Sequence, residues 1–350
     1  MIKSFEKRKK DHISLSLDQR TQNLTDSQFS RIKLNHVAMP EINFSDVQLN
    51  TKILNQDFSS PLFISSMTAG HEQGEKINYL LAELAEEKKI MFALGSQKKI
   101  LIDPKNINEY KKLTQKFSKV RFLSNIGLEE VILNPVSDIL KIVEKTNSIG
   151  LIVHLNALQE IFQKQNEAVF RNGYKKLKNL VENCDVPVIV KEVGFGINAQ
   201  TSKKLFDCGV SVVDLSGSGG THWGMIEALR NQNSAPKLLD SVVHFKDWGM
   251  TTIECLLQNQ KDIFKNTYWA SGGVRSGVDA IKCLALGAKA VGIAQPFLKM
   301  VLNDKNKIQS IDEIVEKYSY FEFEMKTAMF CMGIKNMNEL RKSKAWHAII

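Results

Sequence analysis

The chain has 350 residues, 43% of them hydrophobic and 24% charged, and carries a formal net charge of +9. These are globular proportions, which exclude a disordered, collagen-like or low-complexity chain. The lysines are scattered without an aromatic-interleaved basic stripe, so no nucleic-acid partner is expected, and no apolar run approaches the roughly 20 residues of a membrane span.

In chain order, residues 1–60 read as a polar N-terminal arm or cap, and residues 61–350 as one domain. Short β-type runs fall at 61–66, 90–94, 120–124, 150–154, 186–191, 211–214, 267–270 and 288–293. Helical periodicity between them is clearest over 76–88, 168–181, 199–206 and 278–286, and 311–332 reads as a C-terminal helix. Eight strand-then-helix units predict an α/β fold, a single (β/α)8 TIM barrel with an N-terminal arm and C-terminal helices. A doubly wound sheet would need a dinucleotide fingerprint on its first strand and a reversal of strand order, and neither is visible. Five cysteines form no C-x-x-C pair, and residues 7–11 are charged, unlike a secretory leader; the expected setting is reducing and cytoplasmic.

In such a barrel, residues just beyond the C-terminal strand ends face the active site. Here they read S-S-M-T-A-G (65–70), G-S-Q-K (95–98), S-N-I-G (124–127), H-L-N-A-L-Q-E (154–160) and K-E-V-G-F-G (191–196). The last three ends carry two glycine-rich turns, L-S-G-S-G-G-T (215–221) and S-G-G-V-R-S-G (271–277), and Ala294-Gln295-Pro296. Closely spaced glycines bring backbone N–H groups up to an anion, so the two turns predict a phosphate cradle. Lys191 closes an apolar run at the rim, where its ammonium suits an electron-rich ring, a phosphate or a Schiff base. Glu160 offers a hard oxygen of the kind Mg²⁺ takes beside phosphates.

Together with R-K-K-D-H-I (8–13) and D-W-G-M-T-T (247–252), these motifs make the chain similar, nearly end to end, to the flavin-dependent type 2 isopentenyl diphosphate isomerases. The resemblance implies a barrel that interconverts isopentenyl and dimethylallyl diphosphate with reduced FMN, Mg²⁺, and NADPH as reductant, in a homo-tetramer or homo-octamer. It implies FMN contacts at Met67, Thr68, Ser96, Asn125, Lys191, Ser216 and Thr221, with the FMN phosphate at Gly272, Gly273, Val274, Arg275, Ala294 and Gln295. Substrate contacts fall on Arg8, Lys9, Ser96, Gln97, Lys98, His154, Asn156 and Gln159, with Glu160 on the metal. The catalytic set is Gln159, His154 and Lys191. Three positions depart from the usual pattern: Ala69 for glycine, Lys98 for arginine, and Thr251 for proline or serine.

Shifting a double bond needs one proton delivered and another removed, through a cationic intermediate, with no net oxidation. No carboxylate pair or cysteine nucleophile stands at the strand ends, which leaves acid–base work to the flavin nitrogen. The amide of Gln159 is too weak an acid or base for that work and is assigned orientation, while His154 is assigned to the diphosphate. The competing readings are an FMN-dependent oxidoreductase of the hydroxyacid-oxidase type, a class I aldolase using Lys191, and a non-catalytic barrel that only binds a phosphorylated ligand.

Overall fold

Eight parallel strands close into a barrel in chain order: β1 (Leu62–Ile64), β2 (Met91–Ala93), β3 (Phe122–Gly127), β4 (Gly150–Leu155), β5 (Val188–Glu192), β6 (Val212–Asp214), β7 (Tyr268–Ser271) and β8 (Val291–Ile293). The computed structural model describes residues 2–23, 29–67, 72–164, 167–303 and 306–349. Thr68, Ala69 and Gly70 of the first strand's turn lie outside the described residues. Among those described, no helix is long and apolar enough to cross a membrane.

The pleat sorts side chains by depth. Successive residues of a strand alternate faces, so a residue two positions beyond a barrel-core residue returns to the barrel axis, one step nearer the mouth. Phe63, Leu123, Ile152, Ile189, Val212 and Trp269 belong to one buried cluster filling the barrel. Two residues on from each stand Ser65, Asn125, His154, Lys191, Asp214 and Ser271. A hairpin of Thr51–Ile53 paired with Gln56–Phe58 adds Ile53 and Phe58 to the same cluster. Each such fully buried large side chain contributes roughly 1.5–3 kcal/mol, so the floor under the polar layer is firm.

Three helices matter for the site: α1 (Ile2–Ser16), α2 (Ala157–Lys164) and α3 (Trp223–Arg230). The arm expected over 1–60 opens with helix α1, of which the sequence carries no periodic signal. Its sequence is polar almost throughout, and its buried described residues, Lys9, His12 and Ile13, give no apolar stripe to read. The helix expected over 168–181 begins only at Gly173, because Asn172 takes a left-handed φ of 65° that a helix cannot continue through. Thr251 N-caps the helix Thr252–Gln258 in a capping box with Glu254, a role a serine fills equally well.

Candidate active site

One cavity of about 200 Å³ opens at the C-terminal ends of the strands. Of the site residues expected from the sequence that are described, only Gln97 fails to line it. Gln97 is fully buried, and its Oε1 accepts from the Asn125 N–H at 2.9 Å while its own N–H donates to the Asn125 carbonyl at 2.9 Å. It holds Asn125, whose Oδ1 in turn lies 2.9 Å from His154 Nδ1. Strand register sets Gly127, His154, Lys191 and Asp214 side by side across β3 to β6.

The two glycine turns meet backbone to backbone. A Cβ on Gly272, whose φ is +93°, would stand 2.0 Å from the Gly217 carbonyl oxygen, so no other residue fits there. Thr252 Oγ1 donates to the Ser271 and Gly272 carbonyls at 2.7 and 2.6 Å and fixes the second turn. Ser65 and Ser66 also line the cavity, and their buried hydroxyls have no hydrogen-bond partner among the described residues. A glycine cradle with orphaned hydroxyls beside it is what a phosphate-bearing cofactor would fill. Arg275 and Gln295, expected at the phosphate, also tie the arm to the cavity mouth: Arg275 Nη2 donates to the Gly219 carbonyl at 2.6 Å and the Asn23 carbonyl at 3.3 Å, and Gln295 Nε2 donates to the Ser16 carbonyl at 2.9 Å.

Lys191 is enclosed. Its ammonium donates to the Glu192 carbonyl at 2.6 Å, Ser216 Oγ at 2.7 Å and Ser271 Oγ at 3.4 Å, and lies 3.9 Å from Asp214 Oδ2. Burial pushes the Asp214 carboxyl up, against Lys191 and the 2.8 Å bond from Ser271, which pull it down. Three acceptors for three protons suit a fixed cation rather than the free amine that a Schiff base requires, which weighs against the aldolase reading.

The arm closes over its own barrel. The Asn23 N–H donates to the Gly220 carbonyl at 2.8 Å and the His222 N–H to the Thr21 carbonyl at 2.7 Å, so residues 21–23 are stitched to the first glycine turn. Helix α1 then brings Arg8, Lys9 and His12 to the cavity. The junction is Glu227 of α3, fully buried and not singled out by the sequence. Its Oε1 takes His12 Nε2 at 2.8 Å and Gln159 Nε2 at 3.0 Å, and its Oε2 takes a close contact from Arg230. With the Gln163 amide oriented to satisfy both neighbours, its nitrogen donates to Glu227 at 3.2 Å and its oxygen accepts from Arg8 Nη1 at 2.8 Å. Arg8 and His12 are four apart on α1, and Gln159 and Gln163 are four apart on α2, so one face of each helix converges on one carboxylate.

Desolvation alone would raise the Glu227 carboxyl; bonds from His12 and Gln159 and the charge of Arg230 outweigh it and bring the pKa down to about 2. Burial lowers His12 to about 4 and His154, beside Lys9 and Lys191, to about 3. His12 is therefore neutral at pH 7, and its contact with Glu227 is a hydrogen bond to a carboxylate rather than an ion pair. Burial and the neighbouring Arg8 lower Lys9 to about 8. Asn156 Nδ2 donates to Glu160 Oε1 at 2.9 Å and approaches Gln159 Oε1 at 3.4 Å, fixing two adjacent acceptors at the cavity wall. Among the described residues no cluster of three or more His, Cys, Asp or Glu stands ready for a metal, so a metal here would share Glu160 with ligand oxygens, as Mg²⁺ does beside phosphates.

The profile of the family described as FMN-dependent dehydrogenase matches residues 153–347. The chain is 40% identical over 349 residues to the isopentenyl-diphosphate delta-isomerase of Bdellovibrio bacteriovorus, and 37% identical over 341 residues to that of Legionella pneumophila strain Lens; each alignment covers 97% of both chains. Among solved structures, a mutant flavocytochrome b2 with benzoylformate superposes with a TM-score of 0.69 at 18% identity, covering 97% of this chain and 82% of that one. A Pediococcus acidilactici lactate oxidase superposes at 0.65 and 17% identity, covering 100% and 94%. At such identities these structures speak to the fold alone.

Proposed function

The chain belongs to the isopentenyl-diphosphate delta-isomerase family, on the framework of the FMN-dependent dehydrogenases, and from that premise we propose that it interconverts isopentenyl and dimethylallyl diphosphate with reduced FMN and Mg²⁺. One observation carries the reading: a single cavity joins the glycine cradle and Lys191 to the cations Arg8, Lys9 and Lys98 and to Asn156, Gln159 and Glu160. Bound reduced FMN supplies an electron-rich face for the cationic carbon skeleton and a ring nitrogen that exchanges the proton.

The chain's own residues do the rest. Gly272 and Gly273 admit the FMN phosphate, and Met67, Ser96, Asn125, Lys191, Ser216 and Thr221 border the ring, with Lys191 placing a fixed positive charge there. Arg8, Lys9 and Lys98 hold the diphosphate, and Glu160 holds the Mg²⁺ that neutralises it. Gln159, its NH₂ anchored on Glu227, orients rather than transfers a proton. Because Asn125 Oδ1 can only accept, His154 Nδ1 carries the proton and Nε2 is left as an acceptor, so its bond to diphosphate runs to a protonated phosphate oxygen. The residues 1–60 thus act as a cap that completes the substrate half of the site. NADPH as reductant, a homo-oligomeric assembly and a cytoplasmic setting are part of the same proposal.

Hydroxyacid oxidation fits less well. It needs a base, and both histidines at the cavity are held far below neutrality, where they are poor proton acceptors. The test is to photoreduce the purified protein with FMN and Mg²⁺ and add isopentenyl diphosphate. Dimethylallyl diphosphate without net flavin oxidation is expected; no product from a protein with FMN fully bound overturns the proposal.

A further inference from the structure

We propose that Glu130 is the counter-ion of Lys98 on the cavity wall that also carries Arg8 and Lys9, and that an incoming diphosphate displaces it; this rests on the cavity being a diphosphate site. Glu130 thereby acts as a positioning residue that sets how tightly diphosphate is held and how readily it leaves.

Lys98 is already paired. Its ammonium lies 3.1 Å from Glu129 Oε2 and in closer contact with Glu130 Oε1. Of these two acids, only Glu130 lines the cavity. Arg8 and Lys9 line the same cavity; burial lowers the pKa of both, and the charge of Glu130, after the larger one of Glu227, works against that. One carboxylate therefore bears on all three groups, which come from two distant parts of the chain.

Its seat is built into β3. A Cβ on Gly127 would come within 2.3 Å of Glu130 Oε2 and 3.1 Å of His154 Nε2, so the carboxylate and the imidazole share the space that a side chain at 127 would take. The φ of Gly127 is −81°, ordinary for any residue. Glycine at 127 leaves room for Glu130 and His154 as they stand; a larger residue would push the Glu130 carboxylate aside.

A carboxylate in an anion pocket opposes the anion, since like charges brought together out of water repel. With the site empty, the same carboxylate offsets the mutual repulsion of buried cations, which burial and Arg8 already press on Lys9. Diphosphate takes over the cations and leaves Glu130 facing an anion. Binding is weakened by that exchange, and release is eased.

The test is calorimetric titration of inorganic pyrophosphate into the FMN-loaded protein with Mg²⁺ at pH 6.5, where Lys9 is charged. Glu130→Gln should bind pyrophosphate roughly tenfold more tightly and lower KM without raising kcat. Its flavin absorption spectrum should match the wild type, which a merely structural role would not ensure. Glu129→Gln, which leaves Glu130 in the cavity, should change affinity by less than about twofold. Should Glu130→Gln fail to fold, Glu130→Asp withdraws the carboxylate by one methylene and should tighten binding part of the way. Equal or weaker binding by either Glu130 variant, beside normal wild-type binding, overturns the proposal. A wild type that binds no pyrophosphate removes the diphosphate reading itself.

Discussion

Replacing Glu227 with glutamine tests whether one carboxylate ties the arm to the barrel. The side chain keeps its volume but loses its charge, and one of its two oxygens becomes an NH₂ facing the donors of Arg230, His12, Gln159 and Gln163. The depression of its pKa from 4.5 to about 2 corresponds to about 3 kcal/mol of native-state preference for the carboxylate. Breaking a buried pair costs about 3–5 kcal/mol, and because Arg230 keeps the Asp11 carboxylate at 3.5 Å the low end applies. The two routes meet near 3 kcal/mol. Because the folded pKa is depressed, this contribution is complete above pH 4.5 and is lost as pH falls toward 2. Wild type and Glu227→Gln should therefore differ by about 3 kcal/mol in urea unfolding from pH 5 to 8 and converge in acid. The loss should concentrate on the arm, so trypsin should cut at Lys7, Arg8, Lys9 or Lys10 much faster in the variant. A difference under about 1 kcal/mol at pH 7, with unchanged arm cleavage, would refute the junction.

Three further outcomes follow from the same geometry. Lys9 holds its proton only below about pH 8, so KM for the diphosphate should rise above that pH, and Lys9→Gln should abolish this alkaline limb in a pH series of initial rates. Gly272→Ala puts a methyl 2.0 Å from the Gly217 oxygen at a positive φ; it should yield protein that retains no FMN after desalting, whereas Ser276→Ala, a helix cap, should keep its flavin. Lys191→Met strands the buried Asp214 carboxylate at a cost of about 3–5 kcal/mol, and adding Asp214→Asn should restore most of the stability in thermal melts without restoring FMN affinity.

Much of the barrel was legible because its signals are local. Each β-type run is a short, mostly apolar stretch followed by polar or glycine residues, and every expected strand overlaps an observed one with ends that differ by at most three residues. Strand β3 runs on through Gly127 because Asn125 and Gly127 face the axis with Leu123, so S-N-I-G is strand and not the loop that its polar letters suggest. Pocket-lining residues were legible for the same reason: a period of two carries each core position to a mouth position. What stayed hidden depends on contacts far apart in sequence. Glu227 and Arg230 stand three apart on α3 and are not singled out by the sequence, and nothing local says that α1, more than 200 residues earlier, covers them. Arg275 reads as a phosphate ligand beside its glycines, and nothing local says that its guanidinium also reaches the carbonyls of Gly219 and Asn23.

The two halves of the cavity are held by different physics, and this separates anchoring from turnover. The cradle is backbone fixed by backbone: Gly272 against Gly217, the Thr252 hydroxyl on two carbonyls, and glycines that no side chain can replace. Little there can move without breaking the barrel, which suits a cofactor that stays. The opposite wall is held by side-chain charges and hydrogen bonds, with Arg8 on the Gln163 amide, His12 and Gln163 on the Glu227 carboxylate, and Lys98 on Glu129 and Glu130. Ion pairs exchange partners at little net cost when an equal charge arrives, which suits a substrate that must enter and leave at every turnover. Salt should therefore weaken diphosphate affinity much more than FMN retention, because screening acts on the second wall and not on the first.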